Sequence, residues 1–277
     1  MQSGSNLVWQ IPPAKLVLGK DEVHVWRAQL EVPSSCLANI CEILSADERV
    51  RADSFFFEKH RQNFLVSHGF LRAILAYYVD CAPDRLQFRY TNSGKPFLAA
   101  PSSAARLSFN LSHSGSLAVY AITIERAIGV DLEQIRSEID TEEIARQFFS
   151  ISESSCLQSI SSDFRVNAFF DCWTRKEAFI KAHGAGLSIP LDQFDVTLSP
   201  GEPAQLLEVR WERDEAARWS LRAIDVAKGY AAAFAVKGHD LQLRHWQASI
   251  DMISWAEPSK ASRVHMREAH RKPWKKP

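Results

Sequence analysis

The feature that most narrows the fold is an order of segments that occurs twice. "VHVWRAQL", a run containing "FFFEKHRQNFLVSHGFLRA", then "LSFNLS" and "LAVYAIT" are followed by "AIGVDLEQI", a run "FFDCWTRKEAFIKAHGAGL", then "WSLRAI" and "YAAAFAVK". Each copy reads as strand, helix and strand pair, from alternating or β-branched stretches on either side of a helical repeat. This predicts an α+β chain of two pseudo-symmetric α/β halves. Duplicated halves usually meet in a cleft, which is the expected place for a ligand. The expected division is 1–125 for the first half, 126–245 for the second and 246–277 for a basic tail. That tail ends "KASRVHMREAHRKPWKKP", a closing stretch in which Glu268 is the single acid; it is expected to be mobile and solvated, or to touch an acidic partner.

Local signals fill in the halves. "EVHVWRAQLEV" alternates as a half-buried strand does. Ser45, with Glu48 three residues on, predicts a capped helix start, followed by two helices or one bent helix through "FLVSHGFLRAILAYYV". "YTNSGKPFLAAP" marks a turn. "DTEEIARQFF" predicts a helix capped by Asp140 or Thr141, and Gly184 and Gly186 end the next one. "FDVTL" and "LLEVRWE" read as short strands.

Composition excludes several function classes. With 33 Lys plus Arg against 33 Asp plus Glu, nothing in the total favours nucleic acid or an anionic membrane as partner. No stretch approaches the ~20 apolar residues of a membrane span, and the amino terminus lacks a charged start and long apolar run, so a cytoplasmic location is expected. The five cysteines form no CxxC pair, which points to reduced, structural thiols and away from zinc. GxxxxGK[ST], GxGxxG and GxSxG are all missing from the sequence.

Four segments carry candidate chemistry. In "IGVDLE", Asp131 and Glu133 leave the same face of a strand and can hold a hard cation, or are an ordinary polar strand end; Val130 and Leu132 point the other way, into a core. In the second helix Trp173, Glu177 and Lys181 fall at i, i+4 and i+8. Glu177 and Lys181 are either a surface pair worth ~0.3 to 0.5 kcal/mol or a third metal ligand, or base, with a cation beside it. In "NLSHSG", Asn110, Ser112, His113 and Ser114 can meet a phosphate, or are structural. Lys95, Arg49, Arg51 and Arg61 add scattered positive charge. Phe194, Leu187 and Ile189 are core residues or apolar contacts for a partner.

Taken together, "NSGKPF", "FNLSHSG", "IGVDLE", "FFDCWTRKEAFIKAHGAGLSIPLDQFDV" and "GYAAAFAV" make the sequence resemble the phosphopantetheinyl transferases, of the long monomeric, surfactin-synthetase-activating type. The resemblance covers residues 20 to 236. It implies coenzyme A lying between the halves, its nucleotide against the first. It also implies transfer of the phosphopantetheine arm to a serine of an apo acyl or peptidyl carrier protein, with release of adenosine 3',5'-bisphosphate. By motif position it implies Asp131, Glu133 and Glu177 as magnesium ligands, Glu177 as base and Lys181 against the pyrophosphate. Arg51, Arg61, Lys95, Asn110, Ser112, His113, Asp131, Lys176 and Lys181 are the expected coenzyme contacts. The chain departs from the family pattern at Glu48, where a second cation is common; Arg49 or Arg61 is the expected substitute at the 3'-phosphate. A monomer is expected, because one duplicated chain supplies both cleft walls. The competing readings are a magnesium-dependent phosphohydrolase acting on coenzyme A and a non-catalytic binder of coenzyme A or a carrier protein.

Overall fold

A computed structural model describes residues 8–14, 16–79, 81–99 and 106–254. The chain runs β1 (Glu22–Gln29), α1 (Leu37–Ile43), α2 (Ala46–Asp53), α3 (Glu58–Ala76), β2 (Phe88–Tyr90), β3 (Pro96–Leu98), β4 (Leu107–Ser114) and β5 (Leu117–Ile124). The same order then returns: β6 (Ile128–Gln134), α4 (Thr141–Phe148), α5 (Ile151–Ser159), α6 (Ser162–His183), β7 (Phe194–Val196), β8 (Leu206–Val209), β9 (Trp219–Ala223) and β10 (Tyr230–Lys237). Strand β11 (Gln242–Gln247) and the short α7 (Asp251–Ser254) follow. In the first copy β5 lies antiparallel between β1 and β4; in the second β10 lies antiparallel between β6 and β9. The duplication is thus one of topology, and it includes a small hairpin, β2–β3 or β7–β8, between the long helix and the strand pair.

The long helices cover opposite outer faces of the two sheets. Trp26, Ala28, Ala118, Tyr120 and Ile122 share a core with α3, and Ala231, Ala233 and Ala235 share one with α6. The other faces meet each other: Val23, Val25, Leu117, Val119 and Ala121 pack with Ile128, Val130, Leu132, Ala232, Phe234 and Val236. The layers are helix, sheet, sheet, helix. For this reason β1 is buried on both faces from Val23 to Trp26, and its alternation does not mark a half-buried strand. Helix α3 is buried all round from Asn63 to Leu75 because α1, α2 and α7 pack on the sides the sheet leaves free.

The sequence repeat is weak, but a buried polar device recurs with it. Ser45 caps α2, with Glu48 completing a capping box, and Ser150 does the same for α5 with Glu153. Such caps contribute about 1 kcal/mol each. The same glutamates reach a cation on the long helix: Glu48 accepts from Arg72 at 2.7 Å and from His68 at 3.1 Å, and Glu153 pairs with Lys176 at 2.7 Å. Arg72 donates onward to the carbonyls of Pro83 and Leu86, Lys176 to those of Leu191 and Phe194. Burial would raise the Glu48 carboxyl, but the His68 hydrogen bond, the Arg72 charge and the Ser45 N–H bring it down to about 2. The stability this pair supplies is complete above the ordinary value of 4.5 and is lost as pH falls from there toward about 2.

Two expectations are corrected here, and a choice left open between two caps is decided. The tail does not begin at 246: β11 joins the first sheet parallel to β1, and Trp246, Ala248, Met252 and Ile253 complete the core around α3. Apolar side chains at those four positions bury well, whereas the basic stretch from 255 lies outside the described residues. Lys176 is not a coenzyme contact. Its side chain is 0% exposed, and its three donors are taken by Glu153, Leu191 and Phe194. Lys176→Met is therefore expected to leave the Glu153 charge buried and unpaired, costing ~3 to 5 kcal/mol of stability. Thermal melts should show that loss, with the KM for coenzyme A unchanged in the folded protein. Finally, Asp140 alone caps α4, through the amide of Glu143.

Candidate active site

Strands β4 and β6 lie side by side where the two halves meet, joined through side chains. The Asn110 amide oxygen accepts from the N–H of Val130 at 2.8 Å, and the Ser114 hydroxyl accepts from the N–H of Gln134 at 3.1 Å. Between them Ser112 donates to Asp131 at 2.9 Å, and Ser114 donates to Glu133 at 2.8 Å. Residues at i, i+2 and i+4 share one side of a strand, so β4 directs all three toward β6. Asn110 and Ser112 are buried and committed to this seam. Asn110 holds the main chain of β6 at Val130, and Ser112 orients the Asp131 carboxylate beside it.

Helix α6 closes the seam from the second half. It meets β6 at Gly129, where an added Cβ would lie 2.2 Å from the nitrogen of Ala182 and 2.3 Å from the carbonyl oxygen of Ala178. Helix and strand therefore touch backbone to backbone, and the residues flanking that contact converge. The Lys181 ammonium lies 2.5 Å from Asp131 Oδ1 and 3.2 Å from the Ser112 hydroxyl. Glu177, one turn earlier on the same face, is half-buried. Its pKa is raised by burial first, then by Asp131 and by Glu133, with Lys181 opposing. Glu133 is likewise raised, by burial and by Asp131, against the Ser114 hydrogen bond and Lys181.

Three carboxylates thus share one electrostatic neighbourhood. Among the described residues, no three His, Cys, Asp or Glu side chains are drawn together as a closed metal site. One oxygen of Asp131 is held by Lys181 and Ser112, and one oxygen of Glu133 by Ser114. The second oxygen of Asp131, Oδ2, is buried without a hydrogen-bond partner among the described residues. A buried carboxylate oxygen left bare is costly, and a hard divalent cation is the partner its chemistry suits. The donor set fits magnesium in residue type and in this unsatisfied atom.

The remaining expected residues are placed as follows. His113, at the end of β4, is open to solvent; crowding by the cleft walls and then the charges of His68, Lys181 and His60 lower its pKa, and the solvent limits how far. Arg51 is exposed, with its guanidinium 5.5 Å from the centre of the Phe64 ring, and Phe64 stacks on His68. Nothing in the sequence marks this stack, since Phe64 reads there as one of the apolar positions of the helix. Arg61 pairs with Asp53 and Glu58 at the surface, and Arg49 donates to the carbonyls of Cys41 and Leu44. Lys95, half-buried, donates to the carbonyls of Ile128 and Lys181. Phe194 is fully buried and Ile189 half-buried against the α6 core, while the Leu187 side chain lies outside the described residues. A groove of 620 Å³ lined by Gln205, Trp219, Arg222 and His239 holds none of the expected residues.

A duplicated α+β fold with carboxylates, a lysine and a histidine at its seam has the chemistry for a polyphosphate ligand. Residues 127–235 match the 4'-phosphopantetheinyl transferase superfamily, and residues 30–125 match the family described as 4'-phosphopantetheinyl transferase, N-terminal. The chain is 39% identical over 238 residues to the 4'-phosphopantetheinyl transferase HetI of Nostoc sp., covering 86% of this chain and 97% of that one. It is 31% identical over 155 residues to the 4'-phosphopantetheinyl transferase Sfp of Bacillus subtilis, covering 56% and 66%. A solved holo-[acyl-carrier-protein] synthase of Thermotoga maritima overlaps 40% of this chain and 62% of its own, at 19% identity and a TM-score of 0.32. The protein belongs to the 4'-phosphopantetheinyl transferase superfamily and is an enzyme of that class. No helix among the described residues is long and apolar enough to cross a membrane.

Proposed function

We propose that this chain, acting as a cytoplasmic monomer, moves the phosphopantetheine arm of coenzyme A onto a serine of an apo acyl or peptidyl carrier protein. The bare, buried Oδ2 of Asp131 beside Glu133, Glu177 and Lys181 is the observation that carries the reading. Asp131, Glu133 and Glu177 would hold magnesium, which when bound offsets charge on the pyrophosphate oxygens. The bond from the serine oxygen to the β-phosphorus forms as the bond from that phosphorus to the bridging oxygen breaks, and adenosine 3',5'-bisphosphate leaves.

The protein's own groups serve the two ends of that displacement. Glu177, half-buried one turn before Lys181, takes the serine proton. Lys181, part-exposed and fixed by Asp131, presents an ammonium to the departing phosphate. His113 and Arg51 flank the cleft on the first half and suit the nucleotide phosphates. Ser112 and Ser114 keep Asp131 and Glu133 oriented.

The direct test is intact-mass analysis of an apo carrier protein incubated with this enzyme, coenzyme A and magnesium, with a chelated control. A magnesium-dependent gain of one phosphopantetheine is expected. Free bisphosphate with an unmodified carrier would instead identify a hydrolase, and binding without either product would identify a binder.

A further inference from the structure

The turn between β2 and β3, "TNSGK", is built to present two side chains in one direction. The Thr91 carbonyl accepts from the N–H of Gly94 at 2.9 Å, and the Thr91 hydroxyl accepts from the N–H of Lys95 at 3.1 Å. Gly94 adopts a φ of 81°, which glycine takes without strain. Pro96 follows at the start of β3 and restricts the backbone of Lys95. The result is a rigid first-half hairpin whose tip rests on the second half.

Both presented side chains grip the end of α6. The Ser93 hydroxyl donates to the carbonyl of Gly184, the left-handed residue that ends the helix, at 2.7 Å. The Lys95 ammonium donates to the carbonyl of Lys181 at 2.8 Å and to that of Ile128 at 2.6 Å. The last carbonyls of a helix lack intrahelical partners and carry the negative end of its dipole, so a cation is well placed there. Ile128 opens β6 three residues before Asp131, while Lys181 contributes the side chain that Asp131 holds. One ammonium therefore ties together the main chains that carry the two halves of the Asp131–Lys181 pair.

We propose that Lys95 is a positioning residue for the transfer reaction, latching the last turn of α6 to the start of β6 so that Lys181 and Asp131 stay in register. It does so from the opposite half of the chain, which links closure of the two halves to assembly of the site. Burial lowers the pKa of Lys95 to about 8, in keeping with an amine enclosed by the two main chains it bridges. The inference rests on the transferase reading, and wild-type carrier loading measured in parallel reports on that reading separately.

The test compares Lys95→Met, which keeps the aliphatic stem and removes the donors, with Lys95→Arg, which keeps a donating cation. Lys95→Met is expected to lower kcat by roughly 10- to 100-fold, the scale of a ~1 Å misplacement, with the KM and dissociation constant for coenzyme A within about two-fold of wild type. Lys95→Arg should recover most of the loss. Hydrogen–deuterium exchange, which needs no activity, should show faster exchange in the last turn of α6 in Lys95→Met. Coenzyme A binding weakened in step with the lost kcat/KM would place the ammonium on the ligand and overturn the proposal. Unchanged kcat with only a lower Tm, or unchanged exchange in α6, would overturn it as well. Should Lys95→Met fail to fold, Ser93→Ala removes the neighbouring hydrogen bond from an exposed turn. It is then expected to lower kcat by about two- to ten-fold, and wild-type kinetics and exchange in that variant would count against the latch.

Discussion

Replacing Glu177 with glutamine is expected to abolish carrier loading while leaving the fold as stable as before, or more so. Loss of a positioned general base typically costs ~10² to 10⁴ in rate, and the same side chain is assigned to the metal. Stability moves the other way. Burial and the charges of Asp131 and Glu133 raise the pKa of Glu177, so its charged form is disfavoured in the folded state. A carboxyl whose pKa is higher folded than unfolded contributes stability below its unfolded value, and that contribution is lost as pH rises through the folded value. At neutral pH the charge is therefore a cost, and the amide removes it. Melts near pH 7 should show Glu177→Gln at or above the wild-type Tm, and the difference should vanish in acid as the wild-type carboxyl protonates. Magnesium should raise the wild-type Tm and raise that of the variant less. A variant with wild-type turnover would remove Glu177 from the chemistry, whatever its Tm.

The duplicated topology makes it possible to ask why one seam carries this chemistry and its counterpart does not. On β10, Ala231 and Ala233 stand opposite Glu133 and Asp131; at the matching helix-facing places on β5, Ala118 and Tyr120 stand opposite Ala28 and Trp26. Trp26 and Ala28 are fully buried in the α3 core, where a carboxylate would have neither solvent nor partner. The outer edge of β1 is also paired with β11, whereas β6 faces β4 through the hydroxyls that orient its acids and the amide that holds its main chain. The capping-box glutamate and its buried cation were retained in both halves, and the acid cluster stands in one. Scaffold and site are thus separable: Glu48–Arg72 and Glu153–Lys176 hold the long helices, and Asp131, Glu133, Glu177 and Lys181 occupy a seam built upon them.

The same separation explains what was legible in the sequence. Period-two strands, capped helices and their repetition follow from local chemistry, so the two halves could be read directly. The face of β6 was legible too, because alternation alone sends Asp131 and Glu133 one way and Val130 and Leu132 into the core between the sheets. Lys176 was misplaced because a lysine next to Glu177 on a helix looks like part of the same polar stripe. One residue turns the helix by ~100°, and Lys176 points instead to Glu153, 23 positions earlier in sequence. The partners of Lys95 were equally hidden, since main-chain carbonyls at Ile128 and Lys181 leave no mark on composition. The C-terminal boundary was misjudged for a related reason. Trp246, Met252 and Ile253 are too few to form a periodic pattern, and only the docked β11 gives them a core to join.

Gly129→Ala is expected to damage both fold and reaction, because the smallest side chain has no room between β6 and α6. Its Cβ would fall 2.2 Å from Ala182 N, 2.3 Å from the Ala178 carbonyl oxygen and 2.7 Å from the Lys181 carbonyl carbon. These are main-chain atoms of the helix, which no rotamer change can move aside. The helix must retreat by about 1 Å or more, and overpacking of this kind costs ~1 to 3 kcal/mol, occasionally more. For a chain of this size that corresponds to a fall in Tm of roughly 2 to 6 °C. The retreat carries Glu177 and Lys181 away from Asp131, and a misplacement of that size costs about 10²-fold in rate. Loss in kcat should therefore exceed what the folded fraction explains, and carrier loading at a temperature well below the variant's Tm separates the two effects. Wild-type kcat with a lowered Tm would mean that the site tolerates a wider gap between helix and strand. An unchanged Tm would mean that strand and helix are not in backbone contact at Gly129, and the convergence of the acid cluster would then need another cause.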